Sequence, residues 1–470
     1  MWYRGTLITA SQRARTRLFF LSHSDSKSQR AVTFASRRGS PSSLLTSPTL
    51  RVSTDYLFME RSSSRTDAAS DDGVGDYVDW DSDEADEIEI NAEPIERYGD
   101  GCAYYPVRIG EVLGGRYRIV HKLGHGGFST VWMADDDREN KAVALKILVS
   151  GKDGETEFVA QRRVKEVLGT APHILTYHDV FDVPGLGADR HHILVMPLLG
   201  PSLDTHFRKA SMAARMSAAK QLLVALNTVH KAGMVHRDLN LGAGMWQLAE
   251  NQINQSDEAT RHRLFGRPRK LDLSDKTWRP GDLVRPMTIP TDLIGNMVYL
   301  GDFGMVIQAG ESVDFKPQTP AMYCAPERYH GQDPSFASDM WSYMCIFAAL
   351  YLGFSPLYGP GGDLMAALWV DTLGPLPSSW KGTYRYLDSE GDDAWYDQTC
   401  RPHAEMCLES KLDRRDPIPD PDERRLVLSI FQKGFSYEPA QRISVGELLE
   451  YASFNALMAK YGCQESKPIR

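Results

Sequence analysis

The 470-residue chain lacks any apolar run near the ~18 residues that a membrane-spanning helix needs. The most apolar stretch, Met344–Leu352, has nine residues and stops at Gly353, which suits a buried helix. The six cysteines (Cys102, Cys324, Cys345, Cys400, Cys407, Cys463) contain no CxxC and no paired Cys/His spacing. That argues against a zinc site or a disulfide framework and for a reducing compartment. A basic excess is missing too: 53 Lys and Arg stand against 62 Asp and Glu, a formal net charge of -9. Direct nucleic-acid binding is therefore not expected. These absences point to a cytoplasmic or nuclear protein with no membrane contact. An apolar fraction of 42% is enough for a sizeable core and excludes a wholly disordered chain.

The average charge hides a polarised N-terminus. Residues 1–65 carry eleven Lys and Arg against three acids, whereas 67–100 carry fourteen acids against the single base Arg97. Neither stretch has sustained apolar periodicity, so neither offsets the entropy of ordering. The expectation is a disordered basic Ser/Arg-rich tail over 1–66 and an acidic disordered linker over 67–103. No acid precedes Asp25, and the arginines of the first twenty residues space out along an amphipathic helix, as in an organelle transit peptide. A plain basic tail, or a start at Met59, fits the same residues, so mitochondrial import stays open beside these readings.

From Tyr117 the texture changes. YRIVHKLGHGGFSTVWMADDD followed by KAVALKILV gives alternating apolar residues, a glycine turn and a second alternating run, which predicts a hairpin and then a third strand. Leu123 leads into Gly124-His125-Gly126-Gly127, small residues that let backbone N–H groups approach phosphate oxygens. A dinucleotide fold would place a helix after this loop. A strand follows instead, carrying Lys146 within Val143-Ala144-Leu145-Lys146, the layout of a kinase glycine-rich loop and its phosphate-gripping lysine. Such a lysine needs a carboxylate. Glu157, on the predicted helix ETEFVAQRRVKEVLG, is the favoured partner and Glu155 the alternative.

Further motifs follow in order. His236-Arg237-Asp238 matches the start of a catalytic loop whose Asp accepts a substrate hydroxyl proton. Asp302, in Asp302-Phe303-Gly304, is the expected Mg²⁺ ligand, and Ala325-Pro326-Glu327 closes an activation segment. Asp339 is expected to tie down the catalytic-loop backbone and Arg442 to pair with Glu327. Met196 reads as gatekeeper and Leu198 as the hinge residue facing adenine, with Val131 and Ala144 covering the ring.

Together with Tyr105-Pro106-Val107-Arg108-Ile109-Gly110, GGFSTVWMA, LLGPSL and LGPLPSSW, these motifs resemble the SR-protein kinase-like (SRPK-like) Ser/Thr kinases of fungal type, over roughly Tyr104 to Leu457. The resemblance implies an α+β bilobal kinase fold. Its N-lobe with hinge would span 104–200, its C-lobe 201–460 with an insert at 247–298, and a C-terminal tail 461–470. It also implies ATP and Mg²⁺ as cofactors and transfer to Ser or Thr of a protein substrate, Arg/Ser-rich in this group. A monomer is expected.

Three positions depart from the family pattern. Asn240 and Ala243 stand where active kinases have the catalytic-loop Lys and the Asn that binds a second Mg²⁺. Alanine offers no oxygen to a metal, and Asn240 brings no charge. A pseudokinase scaffold, or an ATP-binding interaction module, is thus the rival reading. Arg237 stands where this group often has Thr. It suggests either a pocket for a phosphate on Ser312 or Thr319, or an arginine bonded to nearby backbone. The basic stretch RHRLFGRPRK inside the insert is expected to be a solvated loop, with docking of acidic groups as the other reading.

Overall fold

The computed structural model describes residues 74–98, 104–249, 253, 256–315, 317–318, 320–359, 363–383 and 392–463. The expectations for the 1–66 tail, Thr319 and residues 464–470 fall outside the described residues.

The acidic segment opens with β1 (Asp76–Tyr77) and α1 (Asp83–Asn91), capped by the Ser82 hydroxyl on the Ala85 amide. The sheet that follows comprises β2 (Val112–Leu113), β3 (Tyr117–Gly126), β4 (Ser129–Asp136), β5 (Lys141–Leu148), β6 (Asp179–Pro184) and β7 (Arg190–Pro197). Its order is β2-β3-β4-β5-β7-β6, antiparallel throughout. The predicted hairpin is β3–β4, closing with Gly126 opposite Ser129. Helix α2 (Gly151–Leu168) follows β5 and buries Glu157, Ala160, Gln161 and Val164. Its first turn requires glycine at 154, where a Cβ would sit 1.8 Å from the Val149 carbonyl oxygen.

The second half is helical. It contains α3 (Leu203–His206) and α4 (Met212–Lys231), then the short strands β8 (Met234–Val235) and β9 (Gly244–Leu248). The insert supplies α5 (Glu258–Phe265), β10 (Arg269–Asp272) and β11 (Asp282–Val284); β12 (Ile294–Leu300) and β13 (Ile307–Gln308) lead out of it. Next come α6 (Pro326–Tyr329), α7 (Phe336–Leu352), α8 (Asp363–Leu373), α9 (Leu408–Asp413), α10 (Pro421–Gly434), α11 (Val445–Glu450) and α12 (Ala452–Lys460). Helix α7 contains the predicted run Met344–Leu352 and is buried on all sides. Ser335 and Ser338 form its capping box, and Gly353 ends it in the left-handed region at φ 86°. Among the described residues no helix is long and apolar enough to cross a membrane.

Two expectations need correction. The linker predicted to be disordered is folded over 74–98, and the basic stretch of the insert is not a solvated loop. β1 pairs in parallel with β10, which pairs with β11. Arg269 bonds both Glu84 oxygens and Asp76, Arg267 also bonds Asp76, and Arg285 reaches Glu87. Beneath these ion pairs lies an apolar cluster of Ala85, Ile88, Tyr98, Tyr104, Leu271, Leu273 and Leu283. The acidic segment is therefore ordered by a partner roughly two hundred residues away, which supplies both the opposite charge and the apolar surface that the segment lacks. Limited proteolysis should accordingly leave 74–98 attached to the folded body. Arg269→Ala should speed its release, with a cost near 1 kcal/mol for so exposed a network; cleavage within 74–98 at the rate of an unfolded peptide would contradict this.

Candidate active site

Lys146 lies on β5 opposite Leu194 of β7. Its ammonium lies 2.6 Å from Glu157 Oε1 and 3.2 Å from Asp302 Oδ1. Burial alone would lower the Lys146 pKa, but the two carboxylates outweigh it and hold the ammonium above its ordinary value. The same lysine holds the Asp302 carboxyl below the usual range. Glu155, the alternative partner, instead bonds His192 Nε2 at 2.8 Å. Two positions on one helix thus serve different elements.

Asp302 follows β12 with a left-handed backbone, φ 57°, a strained conformation of the kind that gathers at functional sites. Its side chain is 47% exposed, whereas those of Lys146 and Glu157 are 12% and 7% exposed, so it alone of the three offers an open face to solvent. Gly304 is obligatory next to it. A Cβ there would approach Glu157 Cγ to 2.8 Å. Gly304→Ala should displace Glu157 and lengthen its 2.6 Å ion pair with Lys146. A structure of the variant with that ion pair unchanged would refute this reading.

The catalytic-loop candidate is held from below. Asp339 on α7 accepts from the His236 amide at 2.7 Å and the Arg237 amide at 2.9 Å, and His230 Nε2 lies 3.0 Å from the same carboxylate. His236 Nε2 bonds the Gly301 carbonyl at 2.9 Å, so the loop and the residue before Asp302 share one brace. Asp238 is half-buried; burial first, then the negative Asp302, pushes its carboxyl up to about 6. Asn240 faces its own loop. Its Oδ1 accepts from Gly242 N at 2.8 Å and its Nδ2 donates to the Asp238 carbonyl at 3.0 Å. Ala243 is 1% exposed. Arg237 Nη2 donates to the Phe315 carbonyl at 3.0 Å, the backbone-bonded arrangement. Ser312 donates to Asp333 Oδ1 at 3.2 Å.

Of the residues expected at adenine, Ala144, Met196 and Leu198 share one apolar cluster, against which Leu123 and Val131 pack. Gly124, Gly126 and Gly127 have open space where a Cβ would stand. Arg442 meets Glu327 through two bonds of 2.7 and 2.9 Å. The sequence reading missed two further braces: Gln318 donates to the Leu239 carbonyl and Arg328 to the Arg237 carbonyl, both at 2.9 Å. Neither belongs to a local motif, so only the folded chain reveals them.

Residues 117–243 match the protein kinase domain family. That stretch of the chain is similar to protein kinase domains. It is similar to a serine/threonine protein kinase of Aspergillus fumigatus, 25% identical over 384 residues, 77% of this chain and 90% of that protein. It is also similar to the serine/threonine-protein kinase SRPK of Physarum polycephalum, 25% identical over 417 residues, 79% of this chain and 93% of that one. A crystallised kinase domain superposes with a TM-score of 0.54 at 18% identity, covering 75% of this chain and 98% of its own. The α+β kinase fold, with a β-rich first half and a helical second half, is thereby established.

Proposed function

We propose that this chain is an active protein serine/threonine kinase that phosphorylates Arg/Ser-rich protein substrates. The observation that carries the reading is the Lys146 ammonium held between Glu157 and Asp302, because kinases act only when both of these elements are in place. The half-exposed Asp302 carboxylate suits one Mg²⁺, and the apolar cluster of Ala144, Met196 and Leu198 suits adenine. A second protein-held ion does not fit at Ala243, which has no side-chain oxygen. ATP, when bound, supplies the γ-phosphoryl group. Lys146 then grips phosphate oxygens, and Asp238 takes the proton from the substrate hydroxyl. The kinase body under this reading is 104–460, joined by 74–98. Asn240 and Ala243, in place of the catalytic-loop Lys and Asn, favour the rival pseudokinase scaffold.

Substrate class is tested by transfer to an alternating Arg/Ser peptide against the same peptide with glutamine for arginine. Preference for the arginine form supports the reading, and equal rates would sink the Arg/Ser part of it. A pH profile tests the base. Asp238 must be deprotonated to act, and its pKa is raised, so transfer should be full above pH 7 and fall about tenfold per unit below pH 6. A rate that stays flat down to pH 4 would remove Asp238 from the role.

A further inference from the structure

The glycine turn between β3 and β4 has little packing of its own, since a Cβ at Gly124, Gly126 or Gly127 would meet nothing within 4 Å. Glycines leave such a turn free to move, so whatever fixes it acts from outside. Three contacts reach this hairpin from the folded acidic segment and from Tyr104 just after it. The Tyr104 hydroxyl donates to the Gly126 carbonyl at 2.6 Å, and Tyr104 itself is 2% exposed. Lys122 of β3 is wholly buried and pairs with Glu93, to which the Tyr98 hydroxyl also donates. The His125 ring bonds to the Asn91 backbone.

The insert grips the same hairpin from its own side. The Met287 amide donates to the Lys122 carbonyl at 2.9 Å, and Arg261 pairs with Asp135 of β4 at 2.5 Å. The two gripping segments are bound to each other through β1–β10 and the Arg269 ion pairs. The acidic segment and the insert are therefore linked to each other as well as to the hairpin.

We propose that the 74–98 segment with Tyr104, together with the 256–298 insert, forms a clamp that sets the position of the phosphate-binding hairpin. Tyr104 and the Glu93–Lys122 pair are its positioning residues. The clamp's effect on nucleotide rests on the kinase reading above; its effect on the hairpin does not. A protein kinase domain would thereby couple its nucleotide loop to chain segments on both sides of its catalytic loop.

The test is Tyr104→Phe in the full chain, which keeps the ring and removes one hydrogen bond. Amide hydrogen exchange across 124–129 should quicken about 3- to 10-fold, and the KM for ATP should rise by a similar factor with kcat little changed. Exchange in α7 should stay native. The apolar double variant Glu93→Leu/Lys122→Leu, which leaves no buried charge unpaired, should loosen the same amides. Val427→Ala, buried in α10 and remote from the hairpin, provides a control that lowers stability without touching 124–129. Native-like exchange across the hairpin in Tyr104→Phe overturns the clamp. Faster exchange in a chain that binds no ATP upholds the clamp and refutes the kinase reading instead.

Discussion

Arg442→Leu is expected to lower the stability of the helical half by about 3–5 kcal/mol, the usual cost of stranding one member of a buried ion pair. On a body of this size that corresponds to a fall in Tm of about 4–7 °C. The Arg442 and Glu327 side chains are 0% and 1% exposed. Arg442 also donates to the carbonyls of Ser436, Ala337 and Tyr437, and its guanidinium lies 5.1 Å from the Trp341 ring centroid. Removal therefore leaves a carboxylate and three carbonyls without their donor. The double variant Glu327→Leu/Arg442→Leu should recover part of the loss, because no buried charge remains. Full recovery would mean that the three carbonyl bonds contribute nothing. A Tm unchanged in the single variant would show that the pair does not hold the end of the activation segment to the helical core.

The second large effect is expected at Asp238. Asp238→Asn keeps the size of the side chain but cannot accept a proton, and removing a general base costs about 10²- to 10⁴-fold in rate. The change leaves Lys146, Glu157 and Asp302 as they are, so nucleotide affinity should change little. The loss should then appear in kcat rather than in KM for ATP. The acid limb near pH 6 should disappear with it, since its origin is the Asp238 carboxyl. Equal losses in kcat and in ATP affinity would point to a collapsed site rather than a missing base.

Much of the candidate site was legible because its parts are short motifs whose spacing is fixed by one strand, one loop or one turn. Lys146, Asp238 and Asp302 are of this kind, and Glu157 was reachable from the helical spacing of its neighbours. The structure brings Lys146, Glu157 and Asp302 within contact distance. Asn240 and Ala243 were legible as departures, but the inward hydrogen bonds of Asn240 were not, because they depend on backbone geometry. The 74–98 segment was misread for a physical reason. Its composition alone cannot stabilise a fold, and its stabilising partner lies in the insert, with Arg269 and Asp76 193 residues apart. The opposite charges of fourteen acids and RHRLFGRPRK were visible in the sequence. Their pairing was not, because complementary charge carries no register. Asp282 illustrates the same limit: an ordinary aspartate in sequence, it is fully buried, accepting from the Ile109 amide and the Tyr77 hydroxyl.

A kinase site with one protein-held Mg²⁺, and Ala243 in place of the asparagine for a second ion, is proposed to transfer phosphate still. The most direct measurement follows γ-phosphate from ATP to an Arg/Ser peptide across a Mg²⁺ titration, comparing the native chain with Ala243→Asn above the Asp238→Asn baseline. Mg²⁺-dependent transfer by the native chain well above that baseline is the expected result. A native chain no faster than the baseline, alongside an Ala243→Asn chain that gains transfer, would contradict it.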